Sequence, residues 1–258
     1  MIKKNLYYPL KYSVSFRLYQ RLFKPEEIKL RRKEINFYQS FLPPCQLIFD
    51  IGANDGHKTE AFLKIAGRVV CCEPDNRNYT ILQTRFRNKR KKVFLENKAL
   101  SDKEGYAEFH IHHPGSAFNT LSDKWMMLLE ADKMEKWDES IKFTGKQAVG
   151  TTTLDHLIEK YGIPDFIKID VEGYEKWVLK GLSHRVNYLS FESLLPEYAG
   201  ELHECLSMIT HLDDSAIFNV AKNEMLQFRD FVQRQELEKW INENQNALSF
   251  EIIAKMSA

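Results

Sequence analysis

Five short apolar segments recur between residues 47 and 193, and most of them carry an acidic residue near their end. They are LIFDIG, RVVCCEPD, KVFLENKALS, DFIKID and NYLSFES. The stretches between them show helical spacing, for example HKTEAFLKIAG after the first and NRNYTILQTRFRNKR after the second. Strands that alternate with helices indicate a parallel sheet with right-handed crossovers. The lack of polar alternation fits this prediction, because parallel strands are buried on both faces.

The rest of the pattern completes the predicted fold. AIFNVA and SFEIIAKM predict the last strands, with the helix QELEKWINENQ between them. We therefore predict an α/β protein with a Rossmann-like, doubly wound, mostly parallel seven-stranded sheet and a C-terminal antiparallel strand. Residues 1–40 are predicted to form a basic helical extension and residues 41–258 the main domain. An insertion around residues 105–148 is expected to hold the strand YAEFHIHH and the helix SDKWMMLLEADKMEKW.

The composition is that of a globular protein, with 43% hydrophobic residues, 28% charged residues and a formal net charge of +1. That charge argues against a strongly basic nucleic-acid binder, so nucleic acid is not the expected partner. No apolar run is long enough to span a bilayer, and the amino terminus lacks the apolar core of a secretory signal. Four cysteines, two of them adjacent, form neither a disulfide framework nor a zinc pattern. A reduced, cytoplasmic compartment is the expected location.

The charge is unevenly distributed along the chain. Residues 1–34 hold ten basic residues against three glutamates, a net of +7, which leaves −6 for the remainder. We favour an accessory helix with its lysines in water, and peripheral contact with a membrane surface is the alternative. A second basic run, at residues 85–92, is read as charge matching at a helix carboxyl terminus rather than as an RNA-binding patch.

The loop after the first predicted strand carries the strongest chemical signal. In an open α/β sheet, ligands bind outside the carboxyl ends of the strands. The loop begins at Asp50 and runs through Gly52, Asn54 and Gly56, so it lacks the middle glycine that a dinucleotide pyrophosphate requires. Glu73 ends the second strand, where a carboxylate can accept hydrogen bonds from ribose hydroxyls. Because Asp50 suits a cation better than a pyrophosphate, the pattern favours S-adenosylmethionine over a dinucleotide.

Five motifs occur in a characteristic order: FDIGANDGHKT, CCEPD, NKALSDKEG, GTTTLDHL and DFIKIDVEGYEKWVLKG. Over about residues 34–193, this series resembles the FkbM-type family of class I S-adenosylmethionine-dependent methyltransferases. Members of that family are mostly O-methyltransferases of hydroxyls on natural products, sugars and lipids. The resemblance implies a cofactor site made of Asp50, Gly52, Asn54, Gly56, Thr59, Glu73, Pro74, Asp75, Ala99, Leu100, Ser101 and Asp170.

Within that site, Glu73 would hold the ribose, Pro74 and Asp75 would border the adenine, and residues 99–101 would close over its edge. Asp170 would sit beside the methionine moiety or face the acceptor.

Transfer of a methyl group to an alcohol requires removal of the hydroxyl proton, so a positioned base is expected. The candidate catalytic residues are Asp170, Glu172 and Glu192, since the first and last end neighbouring predicted strands. Glu172 has an equally weighted interpretation as a helix cap. The further candidate bases are His57, His112 and His113. A divalent metal held by Asp170 and a neighbouring carboxylate, or by His110 and His112, is an alternative that we favour less.

The leading functional hypothesis is a methyltransferase that uses S-adenosylmethionine and releases S-adenosylhomocysteine. Its expected acceptor is a hydroxyl on a small molecule, a saccharide or a lipid-linked compound. The alternatives are an RNA methyltransferase that uses the basic segments, and a non-catalytic binding module with the same fold.

Overall fold

The computed structural model describes residues 25–131, 141–245 and 249–256. Its strands are β1 (Cys45–Ile51), β2 (Ala66–Cys72), β3 (Val93–Glu96), β4 (Ala99–Leu100), β5 (Gly105–Ile111), β6 (Gly145–Thr152), β7 (Phe166–Ile169), β8 (Tyr188–Ser193), β9 (Ile217–Lys222), β10 (Met225–Leu226) and β11 (Phe250–Lys255). Its helices are α1 (Pro25–Phe41), α2 (His57–Phe62), α3 (Asn76–Arg85), α4 (Asp123–Glu130), α5 (Leu154–Tyr161), α6 (Glu175–Lys180), α7 (Ala199–Leu212) and α8 (Arg234–Glu243).

The main sheet has eight strands in the order β10-β9-β11-β8-β7-β1-β2-β3. Strand β1 pairs in parallel with both β2 and β7, while β11 runs antiparallel between β8 and β9. This arrangement confirms the predicted Rossmann-like fold class and its C-terminal antiparallel strand. The sheet has one strand more than predicted, because the chain turns back at Asn223 and Glu224, both with positive φ, and adds β10 at the edge.

Alternate residues of the central strands face two separate cores. Leu47, Phe49 and Ile51 of β1 pack in one core with apolar residues of α5, α6, α7 and α8. Ile48 of β1 packs in the other core with residues of α1, α2 and α3. Helices therefore cover both faces of the sheet, and the carboxyl ends of the parallel strands open at one edge between the two layers.

The segment KVFLENKALS does not form the single strand that its apolar pattern predicts. It divides into β3 in the main sheet and β4 in a separate three-stranded sheet of order β4-β6-β5. Asn97 lies at the division, and its side-chain amide donates hydrogen bonds to the carbonyl groups of Glu73 and Pro74. The predicted insertion around residues 105–148 contains β5, α4 and the start of β6, and its residues 132–140 lie outside the described residues.

Helix α1 represents the described part of the predicted extension, and residues 1–24 lie outside the described residues. Tyr38 of α1 is only 2% exposed. Its ring centroid lies 4.8 Å from that of Phe62 and 5.8 Å from that of Phe166. The helix thus belongs to a core of the domain, while the proposed domain boundary near residue 40 and the membrane contact stay predictions. Within the described ranges, no helix combines the length and the hydrophobicity that a membrane span requires.

Candidate functional site

A cavity of about 430 Å³ lies at the carboxyl edge of the sheet. Its polar wall comes from the ends of β1, β2, β7 and β8, and it contains Asp50, Glu73, Asp170 and Glu192. A second wall is apolar and comes from residues that follow β2 or belong to β4 and β5: Pro74, Ala99, Leu100 and Phe109. The lining of the cavity therefore combines carboxylates at the strand ends with a set of apolar side chains.

The glycine loop is fixed by contacts between strand ends. Gly52 has φ +81°, and a Cβ at this position would lie 1.8 Å from the carbonyl oxygen of Asp170. Gly52 is therefore needed for the close approach of the β1 and β7 ends. Gly56, also with positive φ, begins α2, and its Cβ would lie 2.7 Å from the side chains of Leu82 and Phe86 in α3 and just after it.

Glu73 is held at the cavity by two backbone donors. The N–H of Asn54 donates to Oε2 at 2.7 Å, and the N–H of Asp75 donates to Oε1 at 2.8 Å. Burial raises the pKa of Glu73 to about 8, although both backbone hydrogen bonds oppose this shift. Each carboxylate oxygen keeps a further lone pair, so the group can accept two more hydrogen bonds from a ligand.

Asp50 is a buried carboxyl group at the end of β1. It accepts a hydrogen bond from the Thr59 hydroxyl at 2.5 Å. Burial raises the pKa of Asp50 to about 6, while Thr59 and Lys58 act in the opposite direction. Thr59 thus acts on the cavity through Asp50 and does not itself line it.

Three carboxylates meet where β7 and β8 end. Oxygen atoms of Asp170, Glu172 and Glu192 all lie within 4.8 Å of one another. Two lysines balance their charge: Lys58 Nζ lies 3.2 Å from Asp170 Oδ2, and Lys168 Nζ lies 3.6 Å from the same oxygen. All three acids are candidate catalytic residues predicted from the sequence, and the structure brings them together.

The pKa values of the three clustered carboxyl groups shift in different directions. Burial would raise the pKa of Asp170, but Lys168 and Lys58 outweigh burial and lower it below its usual range. Burial and then Asp170 raise the pKa of Glu192, and burial, Asp170 and Glu192 raise that of Glu172 well above the usual value. The two lysines therefore favour the ionised form of Asp170, whereas burial and the neighbouring carboxylates favour the protonated form of Glu172.

The turn that carries Glu172 is fixed by hydrogen bonds from two other elements. Glu172 has φ +55°, a conformation that costs energy in a residue other than glycine. The carboxylate of Glu175 in α6 accepts from the N–H groups of Val171 and Gly173 at 3.3 and 3.2 Å. The Thr120 hydroxyl donates to the Glu172 carbonyl at 2.7 Å. The insertion and α6 therefore hold the acidic turn in place.

The geometry suits an adenosyl cofactor that carries a positive charge. Glu73 is placed to accept from a sugar diol, the apolar wall at Leu100 and Phe109 suits an aromatic base, and Asp50 and Asp170 are placed for a cation. A family model, described as "Methyltransferase FkbM domain", matches residues 50–235, which is more than half of the chain. The chain belongs to the FkbM methyltransferase family. It is a methyltransferase, as its sequence motifs predict.

Two known proteins are similar to this FkbM methyltransferase, one in sequence and one in structure. It is 25% identical over 182 residues to the 2-O-methyltransferase NoeI of Sinorhizobium fredii, a match that covers 69% of this chain and 72% of NoeI. A crystallised FkbM methyltransferase from Methylobacillus flagellatus shares the fold, with a TM-score of 0.51 and 14% identity. That match covers 83% of this chain and 44% of the crystallised one, so this chain spans less than half of that protein's length.

Most of the predicted cofactor residues line the cavity of this FkbM methyltransferase. They are Asp50, Gly52, Asn54, Glu73, Pro74, Ala99, Leu100 and Asp170. Four others, Gly56, Thr59, Asp75 and Ser101, are not among its lining residues. Asp75 instead caps α3 through the N–H groups of Arg77 and Asn78, and its second oxygen accepts from Gly115 N–H and the Asn119 amide. Direct contact of these four residues with a cofactor stays a prediction.

The histidines of the metal alternative have different polar partners in the FkbM methyltransferase. His110 Nε2 lies 2.7 Å from Asp123 Oδ1, whereas His112 Nδ1 lies 3.1 Å from the Ser116 hydroxyl. Within residues 25–131, 141–245 and 249–256, the group of three side chains with metal-ligand spacing is the acidic cluster, which contains no histidine. His57 lines the cavity and lies 3.2 Å from Glu34.

Four residues that position the acids were not predicted from the sequence: Lys58, Lys168, Thr120 and Glu175. One signal was available for Lys168, because a lysine inside the apolar strand DFIKID needs a buried acidic partner. Thr120 gave no signal, since its contact with Glu172 spans 52 positions of the chain.

Proposed function

We propose that this FkbM methyltransferase binds S-adenosylmethionine in the cavity at the sheet edge and methylates a hydroxyl oxygen of a small-molecule, saccharide or lipid-linked acceptor. The observation that carries the proposal is the placement of Glu73, Asp50 and the acidic cluster around one cavity. The name of the relative NoeI, a 2-O-methyltransferase, supports oxygen as the methylated atom.

The residues have distinct tasks in this proposal. When bound, the cofactor supplies a methyl carbon on a positively charged sulfur. Glu73 accepts hydrogen bonds from the ribose hydroxyls, and Asp170, held ionised by Lys58 and Lys168, favours the positive charge nearby. Orientation of the acceptor oxygen is the largest available contribution to rate.

Glu192 is the proposed general base. It ends β8, lines the cavity and belongs to the acidic cluster, and its Oε1 accepts from the Ser249 hydroxyl at 2.7 Å. A raised pKa brings a carboxylate closer to the basicity that proton removal from an alcohol requires. The acceptor's hydroxyl proton passes to the carboxylate of Glu192. Asp170 is a weaker base, since its pKa is lowered.

Calorimetry and methyl transfer test the proposal together. We expect S-adenosylmethionine to bind the full chain with one site, and S-adenosylhomocysteine to compete with it. We expect a labelled methyl group to appear in a base-stable ether when the protein is incubated with pools of hydroxylated acceptors. Absence of cofactor binding would refute the cofactor assignment, and binding without transfer to any pool would favour a binding module.

An RNA methyltransferase is the second candidate. The basic run at residues 85–92 motivated it, but the Arg85 side chain is 3% exposed and pairs with Asp55 at 3.1 Å and Glu60 at 3.0 Å. Arg85 thus fastens α3 to the glycine loop and to α2 instead of presenting charge to solvent. RNA binding that weakens steeply with added salt would revive this candidate.

A further inference from the structure

The cavity at the sheet edge, where we propose that S-adenosylmethionine binds, is called the cofactor cavity below. A second cavity of about 420 Å³ lies beside it, and we call it the acceptor cavity. It opens between α1, the hairpin of β9 and β10, and the beginning of β11. Its polar lining residues outside the first cavity are Glu34, Lys222, Asn223, Glu224, Ser249 and Glu251. A cavity of this volume is large enough for a small organic molecule.

The two cavities meet at the acidic cluster. Lys58 and Glu192 line both of them. Because Glu192 also belongs to the cluster with Asp170 and Glu172, a molecule in the acceptor cavity extends directly to the carboxylates that face the cofactor cavity. The geometry thus provides one compartment for each of two substrates, with the proposed base at the junction.

Two buried carboxylates of the acceptor cavity have unused hydrogen-bonding capacity. Glu34 Oε2 and Glu251 Oε1 accept no hydrogen bond from the described residues. A basic nitrogen lies near each of these two oxygens: His57 Nε2 is 3.2 Å from Glu34 Oε2, and Lys168 Nζ is 3.7 Å from Glu251 Oε1. Glu34 is only 7% exposed, so water does not readily satisfy it. Each oxygen thus has a nearby basic group but no hydrogen bond of good geometry, and a ligand hydroxyl would supply that hydrogen bond.

Carboxyl groups outnumber lysines in the lining of the acceptor cavity. Glu34, Glu192, Glu224 and Glu251 face two lysines, Lys58 and Lys222. One of the lysines is already engaged, since Lys58 lies 3.2 Å from Asp170. One of the glutamates is engaged as well, since Glu224 pairs with Lys33 at 3.1 Å. A phosphate or carboxylate group placed here would meet like charges, whereas hydroxyl groups would find acceptors.

We propose that the acceptor cavity binds the methyl acceptor and selects an uncharged, polyhydroxylated molecule over phosphorylated or carboxylated analogues, with Glu34 accepting hydrogen bonds from its hydroxyls. The inference rests on the proposed function of the adjoining cavity. It extends that function by assigning the acceptor's position and chemical class.

The test uses the full chain loaded with S-adenosylhomocysteine and a panel of sugar probes. The uncharged probes are methyl glucoside, methyl mannoside and maltotriose, and the anionic probes are a hexose phosphate and a uronic acid. Binding is followed by saturation-transfer NMR, and methyl transfer by labelled cofactor. We expect binding of at least one uncharged probe and none of the anionic ones.

Three variants locate the binding. Glu34→Gln should weaken binding of the uncharged probe by about tenfold or more, because one charged hydrogen-bond acceptor is lost. Glu224→Lys, at the exposed rim, should admit the anionic probes. The matched control is Glu26→Gln on the same helix, where the carboxylate is exposed and pairs with Lys29, and it should bind every probe like the parent chain.

Each variant is first checked for its thermal unfolding midpoint and for its affinity for S-adenosylhomocysteine. In Glu224→Lys that affinity should not change, and the midpoint should fall only slightly, because the exposed pair of Glu224 with Lys33 is lost. Preference for the anionic probes, absence of binding by every uncharged probe, or equal binding by the parent chain and Glu34→Gln would overturn the inference. Loss of cofactor binding in the parent chain is a different result, since it refutes the proposed function itself.

Discussion

Glu73 is a buried carboxyl group whose protonation we expect to be linked to binding of the proposed cofactor. Burial raises its pKa to about 8 in the ligand-free protein. Ribose hydroxyls would donate to the ionised form and lower that pKa, so binding releases a proton below pH 8. We predict that the affinity for S-adenosylmethionine rises between about pH 6 and pH 8 and then levels off. Calorimetry in buffers with different ionisation enthalpies measures both the affinity and the proton release.

Glu73→Gln provides the control, because the amino group of the cofactor titrates identically with both proteins. The variant should bind the cofactor about 1.5–3 kcal/mol more weakly, as expected when a charged hydrogen-bond partner is removed. It should also lose the part of the proton release that belongs to Glu73. The same pH dependence in both proteins would contradict the ribose assignment.

Glu192 is predicted to affect catalysis and not cofactor binding. Replacement by Gln keeps an acceptor oxygen for the Ser249 hydroxyl but removes the base. We expect kcat to fall by about 10²–10⁴-fold, with the affinity for S-adenosylhomocysteine unchanged. Because the parent enzyme needs ionised Glu192, its rate should increase as pH rises through the raised pKa, and this limb should disappear from the profile of Glu192→Gln. If kcat is unchanged in Glu192→Gln, Glu192 is not the base, and Asp170 or Glu172 becomes the candidate.

The acids of the site were predictable from sequence because position along a strand determines them. Asp50, Glu73 and Asp170 each follow an apolar run, and the carboxyl ends of parallel strands meet at one edge. The lysines were not predictable in the same way. Lys168 lies within an apolar strand and Lys58 within a helix, and their pairing with Asp170 depends on side-chain directions that only the tertiary structure defines.

At the scale of elements, Asp75 connects helix α3 to the insertion. One oxygen caps α3, and the other accepts from Gly115 N–H and the Asn119 amide, each at 3.0 Å. Asn119 and its neighbours Ser116 and Ala117 line the cofactor cavity. We predict that Asp75→Ala costs about 1–2 kcal/mol of stability through the lost cap, speeds hydrogen exchange at residues 113–119 and weakens cofactor binding.

Thr153→Ala is the matched control for this prediction. Thr153 caps α5 by accepting from the His156 N–H, and it does not line either cavity. Its loss should cost about 1 kcal/mol without changing exchange at residues 113–119 or cofactor affinity. If Asp75→Ala weakens the cofactor while exchange in that loop stays slow, Asp75 contacts the ligand directly.

Secondary-structure elements were predictable from the sequence where the hydrophobic pattern of a strand or helix extends over many residues. The boundaries of elements were not predictable where contacts with distant residues determine them. KVFLENKALS has the composition of one strand, yet Asn97 bonds to the carbonyl groups that follow β2 and directs the next residues into another sheet. Strand β10 has two residues, Met225 and Leu226, too few for any periodic signal.

At the scale of the whole molecule, the net charge of +1 conceals a concentration of carboxyl groups at one sheet edge. Burial raises the pKa of Asp50 to about 6, of Glu175 to about 7 and of Glu73 to about 8. In the unfolded chain the same groups titrate near pH 4. Between about pH 4 and pH 8 the folded protein therefore binds more protons than the unfolded chain. The free energy of unfolding must fall as pH rises through this range.

We predict that the ligand-free protein loses stability on the order of 1 kcal/mol per pH unit between about pH 5.5 and pH 8. Asp170 has a lowered pKa and the opposite effect, but it titrates below this window. Urea unfolding at several pH values measures the slope. Glu175→Gln should reduce the slope, since Gln keeps an oxygen for the Val171 and Gly173 N–H groups but cannot ionise. A stability that rises with pH in the parent protein would show that Asp50, Glu73 and Glu175 are solvated in the folded protein, contrary to the burial that raises the pKa of each group.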